Sequence, residues 1–319
     1  MHVVVRTGQE TYGNAAILTA TAQPGKNTNT SFPDLKSHLL IIIKLRIMKK
    51  LIIKTLPVLL TILSFTSCDH EDDHFPNTSK TFVLLHGSWQ AAWVWSNVEN
   101  QLKEAGQKVI VIELPAHGDD TTLPINTSLD IYRDKVIGAI TKIQGKVILV
   151  GHSLSGMVIS EIAEKIPAKV EKLVYIGAFL PTSGQSLLDL ANMDKQSLLG
   201  PALIPSSDQL TLDVKQESLI SIFCDDAPES AKKEMLEKYR AEPAIPFTNK
   251  VILTPKNFGN IQKYYVHTLQ DKAVGIDLQK QMAEAAHVTK AFSLNTSHSP
   301  FLSQPVEVVN ILLMIAPLK

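Results

Sequence analysis

Six short apolar runs constrain this chain more than any other feature. They are "TFVLL" from Thr81, "KVIVIEL" from Lys108, "KVILVG" from Lys146, "KLVYIGAFLP" from Lys172, "KYYVHT" from Lys263 and "TKAFSL" from Thr289. None alternates between apolar and polar residues, so each predicts a strand buried on both faces. Helical patterns separate them, at about 91–105, 128–143, the residues after Ser153, 277–286 and 305–315. Strands apolar on both faces and alternating with helices predict an α/β fold, a parallel sheet of six strands covered on both sides.

The alternation breaks between Pro181 and about Lys250. That segment holds "LIPSSDQLTLDV", an extended excursion, and "PESAKKEMLEKYRA", a helix led by a proline. An insertion of this length between two strands is expected to form a cap over one edge of the sheet. It leaves the chain at the carboxyl ends of the strands, where ligands bind in open α/β sheets.

Three of those strand ends carry chemistry. Ser153 follows "KVILVGH", Asp271 follows "KYYVHTLQ" and His298 follows "TKAFSLNTS". A neutral serine hydroxyl is a poor nucleophile, so a histidine must take its proton and a carboxylate must orient the imidazole and stabilise its cation. The order nucleophile, acid, histidine fits that division of labour. Around the serine the pattern G-x-S-x-G is incomplete, because Gly151 is present but Ser155 stands where the second glycine belongs and Gly156 comes one place later. The expected oxyanion donors are the backbone N–H groups of Leu154, after the nucleophile, and of Ser88, in the loop after the first strand.

Other residues compete for these roles. Asp277 is expected to cap the helix it begins. His287 precedes the last strand and falls at the opposite edge, His152 is expected to point away from its neighbour Ser153, and His86 to lie beneath the first loop. Cys224 ends an apolar helix and reads as a small buried hydrophobe rather than a nucleophile.

The motifs "FVLLHGSWQAAWVW", "KVILVGHSLSGMV", "AFLP", "YYVHTLQDKAV" and "SHSPFLSQP" resemble the α/β-hydrolase branch that contains plant methyl esterases, hydroxynitrile lyases and related bacterial serine esterases. The resemblance spans about residues 80–318 and is weakest in the cap. It implies the α/β-hydrolase fold with a mostly parallel six-stranded core, and a serine esterase acting on small-molecule, largely apolar esters without a metal or organic cofactor. Hydroxynitrile lyases of the branch carry a threonine after the first-motif histidine and a lysine after the catalytic histidine, where this chain has Gly87 and Ser299. Cyanohydrin cleavage is therefore disfavoured. Acyl transfer, and ligand binding without catalysis on the same fold, remain the alternatives.

The first 80 residues do not share this pattern. At 48–67 the basic head Lys49, Lys50 and Lys54 precedes a mostly apolar stretch without charge, as in a secretory signal. The stretch is shorter than the roughly 20 residues that a membrane span needs. Thr66, Ser67 and Cys68 resemble the end of a bacterial lipoprotein signal, which implies lipidation at Cys68 and a flexible tether over 68–80. The protein is then expected in the cell envelope, with the membrane touched only through that anchor; simple cleavage would leave it periplasmic or secreted. Residues 1–47 lie upstream of the signal and are expected to be a start-site error or to be removed with it. The remaining 81–319 form one domain, with the cap at about 181–250. Lysine and arginine number 31 and acidic residues 31, a balance that argues against a nucleic-acid partner. No feature of the sequence specifies an oligomeric state.

Overall fold

The computed structural model describes residues 79–317. The expectations placed on residues 1–78, including the signal, the tether and Cys68, lie outside the described residues.

The six apolar runs form one sheet. Its strands are β1 (Thr81–Leu85), β2 (Lys108–Ile112), β3 (Val147–His152), β4 (Val170–Ile176), β8 (Gln262–Thr268) and β9 (Lys290–Leu294), in the order β2-β1-β3-β4-β8-β9. Every neighbouring pair is parallel. Every residue of β1 and β3 is buried. That is the signature of strands covered on both faces, and it explains why their sequences never alternate. Pairing with β1 and β4 makes β3 central, so the residue that follows it emerges at the middle of the carboxyl edge.

The helices fall near their expected places. They are α1 (Ser96–Glu104), α2 (Leu129–Ile140), α3 (Ser155–Lys165), α6 (Ile276–Ala285) and α7 (Pro305–Ile315). The Ser128 hydroxyl caps α2 by accepting the N–H of Ile131. Two expectations need correction. The stretch expected as one helix over 91–105 opens with a 3-10 turn, Ala92–Trp95, before α1 begins. Asp277 is not a cap: Gly275 holds that position, and Asp277 sits inside the first turn, where its charge still favours the helix dipole.

The inserted segment builds its own small sheet. Strands β5 (Leu203–Pro205), β6 (Thr211–Val214) and β7 (Glu242–Pro243) pair antiparallel in that order. Helices α4 (Gln216–Phe223) and α5 (Glu229–Lys238) complete the cap. Among the described residues, no helix is long and apolar enough to cross a membrane.

Candidate active site

Ser153 stands on the turn between β3 and α3 with φ at +53°, a left-handed conformation that costs a non-glycine residue about 1–2 kcal/mol. Strain of that kind persists only where the surroundings enforce it. The Ser153 carbonyl accepts the N–H groups of Gly156 (3.1 Å) and Phe179 (3.0 Å). A Cβ on Gly151 would stand 2.7 Å from the carbonyl oxygen of Ser155, and one on Gly156 would stand 2.1 Å from that of Phe179. Glycine is thus needed at 151 and 156. Position 155 tolerates a side chain, and its hydroxyl donates to the His86 carbonyl, tying α3 to the end of β1.

Asp271 and His298 are brought together. His298 Nδ1 donates to Asp271 Oδ2 at 2.8 Å, and both side chains are buried. That bond leaves Nε2 as the proton acceptor of the imidazole. Asp271 is itself held from all sides. Its Oδ2 also accepts from Thr268 Oγ1 (2.7 Å) and Gln279 Nε2 (3.3 Å), while Oδ1 accepts the N–H groups of Ala273 and Val274, each at 2.8 Å. Gly177, with φ at +49°, leaves room for this cluster, since a Cβ there would come within 2.8 Å of Thr268 Oγ1.

His152 packs against His298. Its ring centroid lies 4.5 Å from that of His298, and its Nε2 donates to the His298 carbonyl at 2.9 Å. Burial, reinforced by the neighbouring His298, pushes its pKa well below the usual histidine range, so it stays a neutral brace. Ser153 Oγ forms no hydrogen bond with another described residue; in enzymes without ligand this contact is commonly loose and tightens around substrate.

The loop after β1 approaches closely. A Cβ on Gly87 would sit 2.6 Å from Ser153 Cβ, so only glycine brings this backbone against the turn. Among the described residues, neither the Ser88 nor the Leu154 N–H has a hydrogen-bond partner. Both donors remain available to an oxygen placed between them.

A cavity of about 750 Å³ opens over Ser153 and Ser88, lined largely by apolar side chains such as Trp89, Phe179, Leu187 and Phe247. Among the described residues, no lysine, arginine or histidine lines it, and the one carboxylate that does, Asp194, is occupied by the N–H groups of Gln196, Ser197 and Gly275. The remaining candidates stay outside. His287 lines a separate groove with Gln262 and Lys263, and burial pushes the Cys224 thiol up to about 12, where it is inert. Among the described residues, no group of three or more histidine, cysteine or acidic side chains could hold a metal ion.

Two residues that the sequence did not single out complete the surroundings. Gln279, on α6, braces Asp271, and Glu242, on the cap strand β7, is fully buried against the loop after β1. Nothing local in "DLQKQ" or "RAEPA" marks either residue, because each acts through a contact that only the folded chain creates.

Comparison with known proteins places this arrangement. A putative chloroplastic methylesterase 11 of Arabidopsis thaliana is 32% identical over 248 residues, covering 74% of this chain and 63% of its own length. The chain thus spans less than two thirds of that relative. An Arabidopsis thaliana alpha-hydroxynitrile lyase is 28% identical, covering 74% of this chain and 96% of its own. Polyneuridine aldehyde esterase superposes with a TM-score of 0.65 at 22% identity, over 75% of this chain and 99% of its own, a likeness of fold. The model of the alpha/beta hydrolase family matches residues 82–311, and the chain belongs to that family.

Proposed function

We propose that the protein is a serine carboxylic ester hydrolase acting on neutral, largely apolar esters. The observation that carries this reading is the Asp271–His298 pair, held at 2.8 Å with His298 packed on His152, next to the strained turn whose Ser153 lines an apolar cavity. Ser153 Oγ attacks the ester carbonyl while His298 Nε2 takes its proton. The carbonyl oxygen, now an anion, receives the N–H groups of Ser88 and Leu154. His298 returns the proton to the departing alcohol, leaving an acyl-enzyme, and then activates water to release the acid. Asp271 stabilises the imidazolium throughout. This chemistry needs no metal or organic cofactor.

The cavity supports the substrate class. With no cation on its walls among the described residues it has no charge to pair with a free carboxylate or phosphate, while its leucines and aromatic rings favour apolar acyl or alcohol groups. The lyase alternative loses support at Ser299, which stands where a lysine is needed and accepts a hydrogen bond from Gln90 Nε2 at 2.7 Å.

p-Nitrophenyl acetate tests the reading. The wild type is expected to release a stoichiometric burst of nitrophenolate and then turn over, and Ser153→Ala to do neither. Equal slow hydrolysis by both proteins would end the esterase assignment. For the amino-terminal region we propose export with a lipid on Cys68. Incorporation of an alkyne-tagged fatty acid, lost in Cys68→Ser, is the expected result.

A further inference from the structure

The loop carrying Ser88 is held in an unusual way. Trp89, the next residue, has φ at +60°, a conformation a bulky side chain does not adopt without enforcement. Its N–H donates to Glu242 Oε2 at 2.8 Å, and its carbonyl accepts the N–H of Arg240 at 3.4 Å. Its indole Nε1 donates to the carbonyl of Leu212 at 2.8 Å. All three partners belong to the cap. On the other side of Ser88, His86 Nδ1 donates to the Gly87 carbonyl at 2.9 Å, while its Nε2 accepts the N–H of Leu114 at 3.1 Å.

These bonds bear on the two peptide groups that flank Ser88. The Gly87 carbonyl belongs to the same peptide as the Ser88 N–H, so the His86 contact sets the direction of that donor. The Trp89 N–H belongs to the following peptide, and Glu242 fixes it. Rotation about Ser88 is thereby blocked from both sides. Without an acceptor at Trp89, the strained loop would be free to relax and carry the Ser88 N–H out of line.

We propose that Glu242, supplied by the cap, is a positioning residue for the oxyanion hole, acting through the hydrogen bond from Trp89 N–H; the proposal rests on the serine-esterase reading. A carboxylate near a developing oxyanion is unfavourable unless its charge is matched. His117 supplies the match: its Nε2 lies 2.8 Å from Glu242 Oε2 and its Nδ1 donates to the Pro115 carbonyl at 3.0 Å. Burial works against the His117 cation, but the Glu242 carboxylate outweighs it and the pKa is raised. The pair is therefore close to neutral as a whole, and what reaches the site from Glu242 is the geometry of Trp89.

Two conservative variants separate reach from charge. Glu242→Gln keeps an oxygen at the Oε2 place without the charge, where it can accept both the Trp89 N–H and the Nε2–H of a neutral His117, which then gives up its bond to the Pro115 carbonyl. Glu242→Asp keeps the charge but withdraws the oxygen by about one methylene. Removing an oxyanion donor costs roughly 100- to 1,000-fold in rate, so a misdirected one is expected to cost less, about 10- to 100-fold in kcat for Glu242→Asp, with KM changed less than about three-fold. Glu242→Gln should recover most of the wild-type kcat. A trifluoromethyl ketone, which forms the tetrahedral adduct, should lose affinity for Glu242→Asp by the same factor as kcat/KM.

A Glu242→Asp enzyme with wild-type kcat would overturn the proposal, as would a loss confined to KM or a Glu242→Gln enzyme as slow as the aspartate. Fluorophosphonate labelling of the wild type is run alongside. If the wild type is not labelled at Ser153, the esterase reading itself fails; labelling with no penalty in Glu242→Asp refutes only the role given to Glu242.

Discussion

The two sides of Ser153 are built differently. On the acid–histidine side, Asp271 is gripped by Thr268, Ala273, Val274 and Gln279, all within one strand-loop-helix passage of the core. On the oxyanion side, the loop from Gly87 to Gln90 depends on Leu212, Arg240 and Glu242 of the cap and on Ser299 from beyond β9. The carboxylate of the first side takes its bonds from the core alone, and the cap reaches only the loop behind it, through Asp194, Gln196, Ser197 and Leu198. On the second side the cap bonds directly to Trp89, next to Ser88. In the proposed mechanism the cap that lines the cavity also holds the loop of the oxyanion donor Ser88, so changes in the cap are expected to alter rate as well as binding.

The largest effect that separates the two sides is expected at Asp271→Asn, which leaves the packing intact but upsets the imidazole tautomer. A fall of about 10,000-fold in kcat is expected from steady-state kinetics. Glu242→Asp comes next, at the smaller cost given above. Gln279→Leu removes one of several donors to Asp271 and should lower kcat by about 10-fold or less, with KM little changed. If Gln279→Leu proved more damaging than Glu242→Asp, the ranking of the two sides would be reversed.

Smaller effects concern stability. Ser155→Gly loses the hydrogen bond to the His86 carbonyl, which should lower unfolding free energy in urea by about 1 kcal/mol while esterase turnover persists. The Glu242–His117 pair adds a pH dependence. Because the His117 pKa is raised in the fold, its contribution is fully present below about 6.5, its ordinary value, and is lost as pH rises through the folded value. The groups facing it are Glu242, Glu113, His86 and the ring of Tyr132. His86 and His152 are shifted downward, so their effects fall below pH 6.5, outside this window. The stability difference between wild type and His117→Asn, measured by urea titration, should therefore shrink between neutral and alkaline pH.

The same contrast explains what could be read from the sequence. The inner strands were legible because burial on both faces leaves an unbroken apolar run, the edge strands β2 and β9, which are less buried, because their short apolar runs alternate with helical patterns, and α7 because Pro305 opens it. The places of Ser153, Asp271 and His298 in the fold were legible because each follows a strand whose end is clear. Glu242 was not, since its partner Trp89 lies 153 residues away and no periodicity links them. The bracing of His298 by His152 was not legible either, because the two residues are 146 apart and only the fold brings them together. Asp277 is the first capping side chain in its stretch and so reads as a cap, whereas the helix starts one residue earlier behind Gly275. Ser155 looked like a broken motif. The tight approach to a neighbouring backbone has been taken over by Gly156.

A crystal structure of the enzyme inactivated by an alkyl phosphonate tests the central claim most directly. The account predicts a covalent bond from phosphorus to Ser153 Oγ, with the phosphonyl oxygen about 2.7–3.1 Å from the backbone nitrogens of both Ser88 and Leu154. His298 Nε2 should lie within hydrogen-bond distance of the adduct. An adduct on any other residue, or a phosphonyl oxygen turned away from those two nitrogens, would contradict it.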